Sequence, residues 1–114
     1  MSRIKVTKNG ELAGWFNPKK ATAFRESQWH DGNNFISKAT GSQTEHECLY
    51  YTASGKWILN EWSDFQGSKE SHELISETEA GEWVIKNEYE DHELENLPEK
   101  VRNQIQQTIN EGEL

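Results

Sequence analysis

The stretch from Glu47 to Gly67, ECLYYTASGKWILNEWSDFQG, constrains the fold more than any other part of the chain. Two Trp, two Tyr and one Phe crowd into it, and its apolar pattern breaks only at Ala53-Ser54-Gly55. A Ser54-Gly55 pair flanked by aromatic and β-branched residues is the pattern of a β-hairpin with a two-residue loop. That loop predicts a register in which Tyr51 faces Ile58, Thr52 faces Trp57 and Tyr50 faces Leu59, giving cross-strand aromatic and aliphatic pairs. The hairpin is the expected centre of a sheet.

The flanking segments supply its neighbours. Ile4 to Thr7 alternates, Lys8-Asn9-Gly10 turns, and Leu12 to Phe16 resumes an apolar pattern, predicting a first hairpin with Gly14 at a bulge or close approach. Asn17-Pro18 combines an N-cap with a residue favoured at the first helical position, predicting a short helix that presents Ala21, Phe24 and Gln28. Trp29 to Asn34 reads as a turn-rich loop, and Phe35 to Ala39 as a short strand. His72 to Ile75 is a further strand. Ser76-Glu77-Thr78-Glu79 is a capping box opening a helix whose face carries Ala80, Trp83, Val84 and Asn87, with Trp83 the expected anchor on the sheet. Gly81 costs that helix about 1 kcal/mol relative to Ala, as at a close contact with the sheet or a tolerated weak point. Leu97-Pro98 begins a last helix, with Val101, Ile105 and Ile109 in a narrow stripe. The expected architecture is a single α+β domain. A twisted antiparallel sheet of about five strands carries two to three helices, beginning near Pro18, Glu77 and Pro98, mainly on one face. Residues 1–87 form its core, 88–96 an acidic connection and 97–110 the C-terminal helix.

A chain of 114 residues is one domain of common size. Only 32% of it is apolar, so five Trp, four Phe and three Tyr must bury much of the core area. The lone Cys48 has no internal disulfide partner and suits a reducing compartment. No stretch resembles a signal peptide or a membrane span, so the cytoplasm is the expected location. Charge is uneven: residues 1–69 hold nine Lys/Arg and seven Asp/Glu, residues 70–114 three and thirteen. The acidic half repels nucleic acid, and the other half has no basic cluster beyond Lys19-Lys20.

Catalytic and cofactor motifs are missing. There is no CxxC, HxH or HExxH, and on a strand the adjacent ligand types Glu45-His46-Glu47-Cys48 point alternately to opposite faces, so no metal site is expected. No Lys follows an acidic residue by two positions, as a strand-borne nuclease motif requires, and neither GxxxxGK[ST] nor GxGxxG occurs, so no nucleotide cofactor is expected. Without a GxSxG elbow, a hydrolase would have to use His46 and Glu47. Trp57 and Trp62 have opposite parity and cannot share one stacking platform. Two partner-binding candidates remain. Trp29 lies in a Gly/Asn-rich segment where an aromatic contact would be exposed, and Val101, Ile105 and Ile109 could dock on another protein or a second copy of the chain. Ten carboxylates against one Lys between Glu70 and Glu95 raise a rival reading, a mimic of a phosphate backbone that inhibits a nucleic-acid enzyme.

Leu12-Ala13-Gly14-Trp15-Phe16, Asp31-Gly32-Asn33-Asn34-x-Ile36-Ser37, Thr40-Gly41-Ser42-Gln43, His46-Glu47-x-Leu49-Tyr50, Gly55-Lys56-Trp57-Ile58-Leu59, Trp62-Ser63 and Gln66-Gly67 together form a pattern. It resembles a family of small uncharacterised bacterial proteins, over about Arg3 to Asn87. In some of its members this region precedes a ribbon-helix-helix segment similar to antitoxins, which implies an antitoxin or regulator as a further reading. This sequence continues instead into an acidic helix, and the resemblance carries no catalytic residue. The expectation is a non-enzymatic bacterial protein-interaction module without a cofactor.

Overall fold

The computed structural model describes residues 3–65, 67, 69–89, 91–95, 97–111 and 113. Its elements run β1 (Ile4–Lys8), β2 (Glu11–Phe16), a 3-10 turn (Pro18–Lys20), β3 (Thr22–Arg25), β4 (Gln28–His30), β5 (Phe35–Ser37), β6 (Glu45–Tyr51), β7 (Trp57–Ser63) and β8 (Ser71–Ile75). Three helices follow: α1 (Glu77–Lys86), the single turn α2 (Asp91–Leu94) and α3 (Glu99–Glu111). Six strands form one sheet in the order β2-β1-β8-β7-β6-β3, and β4 and β5 form a separate ribbon.

The sheet is mixed, where a purely antiparallel one of about five strands was expected. β8 enters between the two hairpins and runs parallel to β1, meeting it at Thr7 and Glu73. Alternation within a strand says which face each residue takes and nothing about which neighbour the strand chooses. The central hairpin forms, in a register one residue away from the expected one: Tyr51 faces Trp57, Tyr50 faces Ile58 and Leu49 faces Leu59. The loop is the cause. Thr52 N donates to Lys56 O at 2.8 Å and Gly55 N to Thr52 O at 3.0 Å, so the loop has three residues, with Gly55 at φ +86°. This is the turn-plus-bulge connection that needs Gly at its left-handed position.

The helix expected from Pro18 is a second correction. Asn17 does cap it, its Oδ1 accepting from Lys19 N at 3.0 Å, but the turn ends at Lys20. Thr22 to Arg25 then alternates as β3, with Phe24 buried, and pairs with the open edge of β6. A cap is worth about 1 kcal/mol, less than a ladder along a strand edge and the burial of a Phe side chain together contribute.

The helix-bearing face of the sheet presents Phe24, Leu49, Tyr51 and Trp57 to Ala80, Trp83 and Val84 of α1 and to Val101 and Ile105 of α3. α1 starts at the expected capping box: Ser76 Oγ accepts from Glu79 N at 3.1 Å, and Glu79 Oε1 accepts from Ser76 N at 3.3 Å. Gly81 marks a close contact with a helix and not with the sheet, since a Cβ there would lie 1.9 Å from Thr108 Cγ2 on α3.

The opposite face carries Val6, Phe16 and Ile58, with Ile4, Ala21, Tyr50 and Leu74 against them. Phe16 on β2 and Tyr50 on β6 have ring centroids 5.2 Å apart, although in a flat sheet four strand spacings, about 19 Å, would separate those strands. Residues 17–21 likewise join strands at opposite edges. Flat, those edges would stand about 24 Å apart. Even fully extended, that link spans at most about 21 Å. The sheet is therefore curled into an open barrel, its concave face lined by Phe16, Tyr50 and Ile58 and its convex face under α1 and α3.

Candidate functional site

Two surfaces stand out on this frame: the β4–β5 ribbon and a groove in the concave face. The ribbon projects as a finger. A lone two-stranded ribbon is marginal in water, so its persistence depends on how it is rooted. Lys38 N donates to Ser27 O at 2.8 Å and closes the base. Ser27 N donates to Oδ1 of the fully buried Asn87 at 2.9 Å, and Asn87 Nδ2 donates to Trp83 O at 2.8 Å, so the root is tied to the end of α1. Lys38 also pairs with Glu88. At the tip, Asp31 Oδ1 accepts from Asn33 N at 2.9 Å and Asn34 N at 2.8 Å. Those backbone donors, Asn34's first, hold the Asp31 carboxyl below the ordinary aspartate range.

Between root and tip, Trp29 faces Ile36 and His30 faces Phe35. Directly opposed residues share a face and successive pairs alternate, so Trp29 and Phe35 stand on opposite faces of the finger. Trp29 is 49% and Phe35 62% exposed. His30 meets the Phe35 ring edge-on, with centroids 5.0 Å apart. The expected exposure of Trp29 is thus seen, on a strand rather than in a loop. Phe35 was not singled out from the sequence, though Asp31 to Asn34 flanked by QWH and FIS is a hairpin pattern that could have shown it.

Beside the finger's root, Glu26 gathers three segments. Its Oε2 accepts from Ser37 Oγ at 2.6 Å and Glu47 N at 2.9 Å, and its Oε1 meets His46 Nδ1 at 2.5 Å. His46 Nε2 meets Asp64 Oδ2 at 2.8 Å, and the ring stacks on Trp62 at 5.6 Å. Ionised carboxylates only accept, so a ring donating from both nitrogens is an imidazolium. Burial of the ring opposes its charge. The hydrogen bonds to Asp64 and Glu26, with their Coulombic pull, outweigh that and raise His46 above the ordinary imidazole range. With a carboxylate at each end, the ring has no nitrogen left to act as a base.

Glu47 turns to the helix side, where its Oε1 accepts from Trp83 Nε1 at 3.0 Å. Burial pushes its carboxyl up, with the Trp83 hydrogen bond opposing. His46 and Glu47 therefore serve different faces and share no cleft. Burial likewise raises the Cys48 thiol and lowers His72. Among the described residues no three His, Cys, Asp or Glu side chains converge as metal ligands would.

The groove has a volume of ≈ 410 Å³ and lies between the end of β2 and the loop of the central hairpin. Val6, Phe16, Ile58 and Leu74 line it, with Lys20 and Lys56 at its margin. Lys20 stands out in the sequence as half of a basic pair, but nothing there joins it to Lys56, because the curl that brings the two to one opening is not local.

No family model, curated protein or solved structure matches the chain.

The remaining candidates have tasks within the molecule itself. Val101 and Ile105 are 2% and 1% exposed, and Ile109 packs half-buried against the same core, so this stripe has little surface to offer a partner. Several carboxylates between Glu70 and Glu95 have local tasks: Glu70 accepts from Asn60, Glu79 caps α1, and Glu88 pairs with Lys38. Glu90 of that run, like Gln66 of the motif pattern, lies outside the described residues.

Proposed function

We propose that the chain is a non-enzymatic protein-interaction module of a bacterial cytoplasm, and that it engages its partner with the β4–β5 finger. One observation carries this reading: a ribbon whose two strands pair with no other strand among the described residues holds Trp29 and Phe35 exposed on opposite faces, while its root and tip are locked by side-chain hydrogen bonds. Rigid aromatic anchors lose little conformational entropy on binding and dominate interface energies. Aromatics on both faces suit a finger clasped within a cleft better than one laid on a flat surface. In support, no helix among the described residues is long and apolar enough to cross a membrane. The contact lies away from the C-terminal helix, whose stripe packs into the core.

A photo-crosslinking residue placed at Phe35 in cells tests it, with Phe65, 64% exposed and outside the finger, as the control position. The expected result is a discrete adduct from position 35, none from 65, and loss of that adduct in Trp29→Ser with folding stability changed by no more than about 0.5 kcal/mol. An adduct at twice the chain's mass would make the partner a second copy. Equal yields from both positions, or no adduct from 35, would contradict the assignment.

A further inference from the structure

We infer that the groove in the concave face is a binding site for a small amphiphilic carboxylate, its apolar body lying along Ala13, Ala53 and Leu74 over the buried Phe16 and Ile58, and its anionic head at Lys20 and Lys56. The site is distinct from the finger and independent of the protein partner. Its volume of ≈ 410 Å³ falls in the range of small-molecule sites, about 300–1,000 Å³, where apolar walls supply affinity and a few polar groups supply orientation.

Charge names the ligand class. The chain carries 20 Asp/Glu against 12 Lys/Arg, yet no carboxylate occurs among the described residues lining the groove, and two lysines do. Those lysines come from unrelated segments, the 3-10 turn after β2 and the loop between β6 and β7, and only the curl of the sheet sets them at one opening. Neither forms an ion pair among the described residues, although the protein has carboxylates to spare. An apolar floor with unpaired cations at its mouth favours an anion with a hydrocarbon body over a neutral or cationic one. Both ammonium groups are solvated, so they select the sign of the head group while the floor supplies most of the binding.

Decanoate, kept below its micelle-forming concentration, tests this on the full chain by NMR titration, with decanol and decyltrimethylammonium as neutral and cationic controls of the same body. Saturable shifts at Val6, Phe16, Ile58 and Leu74 are expected, with a Kd of the order of 0.1 mM and the cationic control weaker by roughly tenfold or more. The surface double variant Lys20→Gln, Lys56→Gln should weaken decanoate by about tenfold and leave decanol unchanged. Absence of saturable shifts at about 1 mM decanoate would overturn the site. Equal affinity for the three amphiphiles, or a double variant that binds decanoate like the parent chain, would overturn its anionic selection.

Discussion

The carboxylate of Glu26 takes hydrogen bonds from three partners at once: His46 and the Glu47 amide on β6, and Ser37 on β5. That node joins the finger's root to the sheet through a side chain with only 8% exposure. Its hold depends on the charge of His46, whose folded pKa lies above the unfolded value near 6.5. Such a group contributes stability that is fully present below the unfolded pKa and is lost as pH rises through the folded one. The stability gap between the parent chain and His46→Gln, measured by urea unfolding from about pH 6 to about pH 9, should therefore narrow as pH rises; a constant gap would show that the ring's charge is not what binds. Of the residues that matter here, Ser76, Glu79 and Trp83 were legible because a capping box and a helical face are written within a few positions. Glu26 was not, since its partners lie 11, 20 and 21 residues away.

Among the elements, α3 shows how one pattern admits two meanings. Val101, Ile105 and Ile109 at four-residue spacing fit a docking stripe or a core-facing helix equally well, and burial decides for the core. The close contact of Gly81 with Thr108 brings α1 and α3 together, so that α3 covers the sheet beside α1. Ile105→Ala should accordingly cost about 2–5 kcal/mol of folding stability in a urea titration, as a cavity in a buried site does. A change below about 0.5 kcal/mol would instead mark the stripe as surface. The segment after Pro18 failed in the opposite sense. Its helix-start signals are genuine, but the unpaired edge of β6, far off in sequence, drew Thr22 to Arg25 into a strand. The strands flanking the Asp31-Gly32-Asn33-Asn34 turn are only three residues each, too short for alternation to mark them in the sequence.

At the scale of the whole molecule, the decisive fact is the curl of the six-stranded sheet. It sets β2 against β6 across the concave face, buries Phe16 and Ile58 without a helix above them, and forms the groove with Lys20 and Lys56 at its mouth. The hairpins themselves were readable from their turns. The order of strands was not, because the parallel entry of β8 beside β1 is a pairing of segments 66 positions apart, and no local signal specifies it. The contact that follows only from the curl is that of the Phe16 and Tyr50 rings, so a NOESY spectrum of the labelled chain tests it directly. Cross-peaks between the two rings are expected, consistent with centroids 5.2 Å apart. A solvent-exposed Phe16 ring with no cross-peak to Tyr50 would mean a flat sheet, and with it neither the groove nor the site assigned to it.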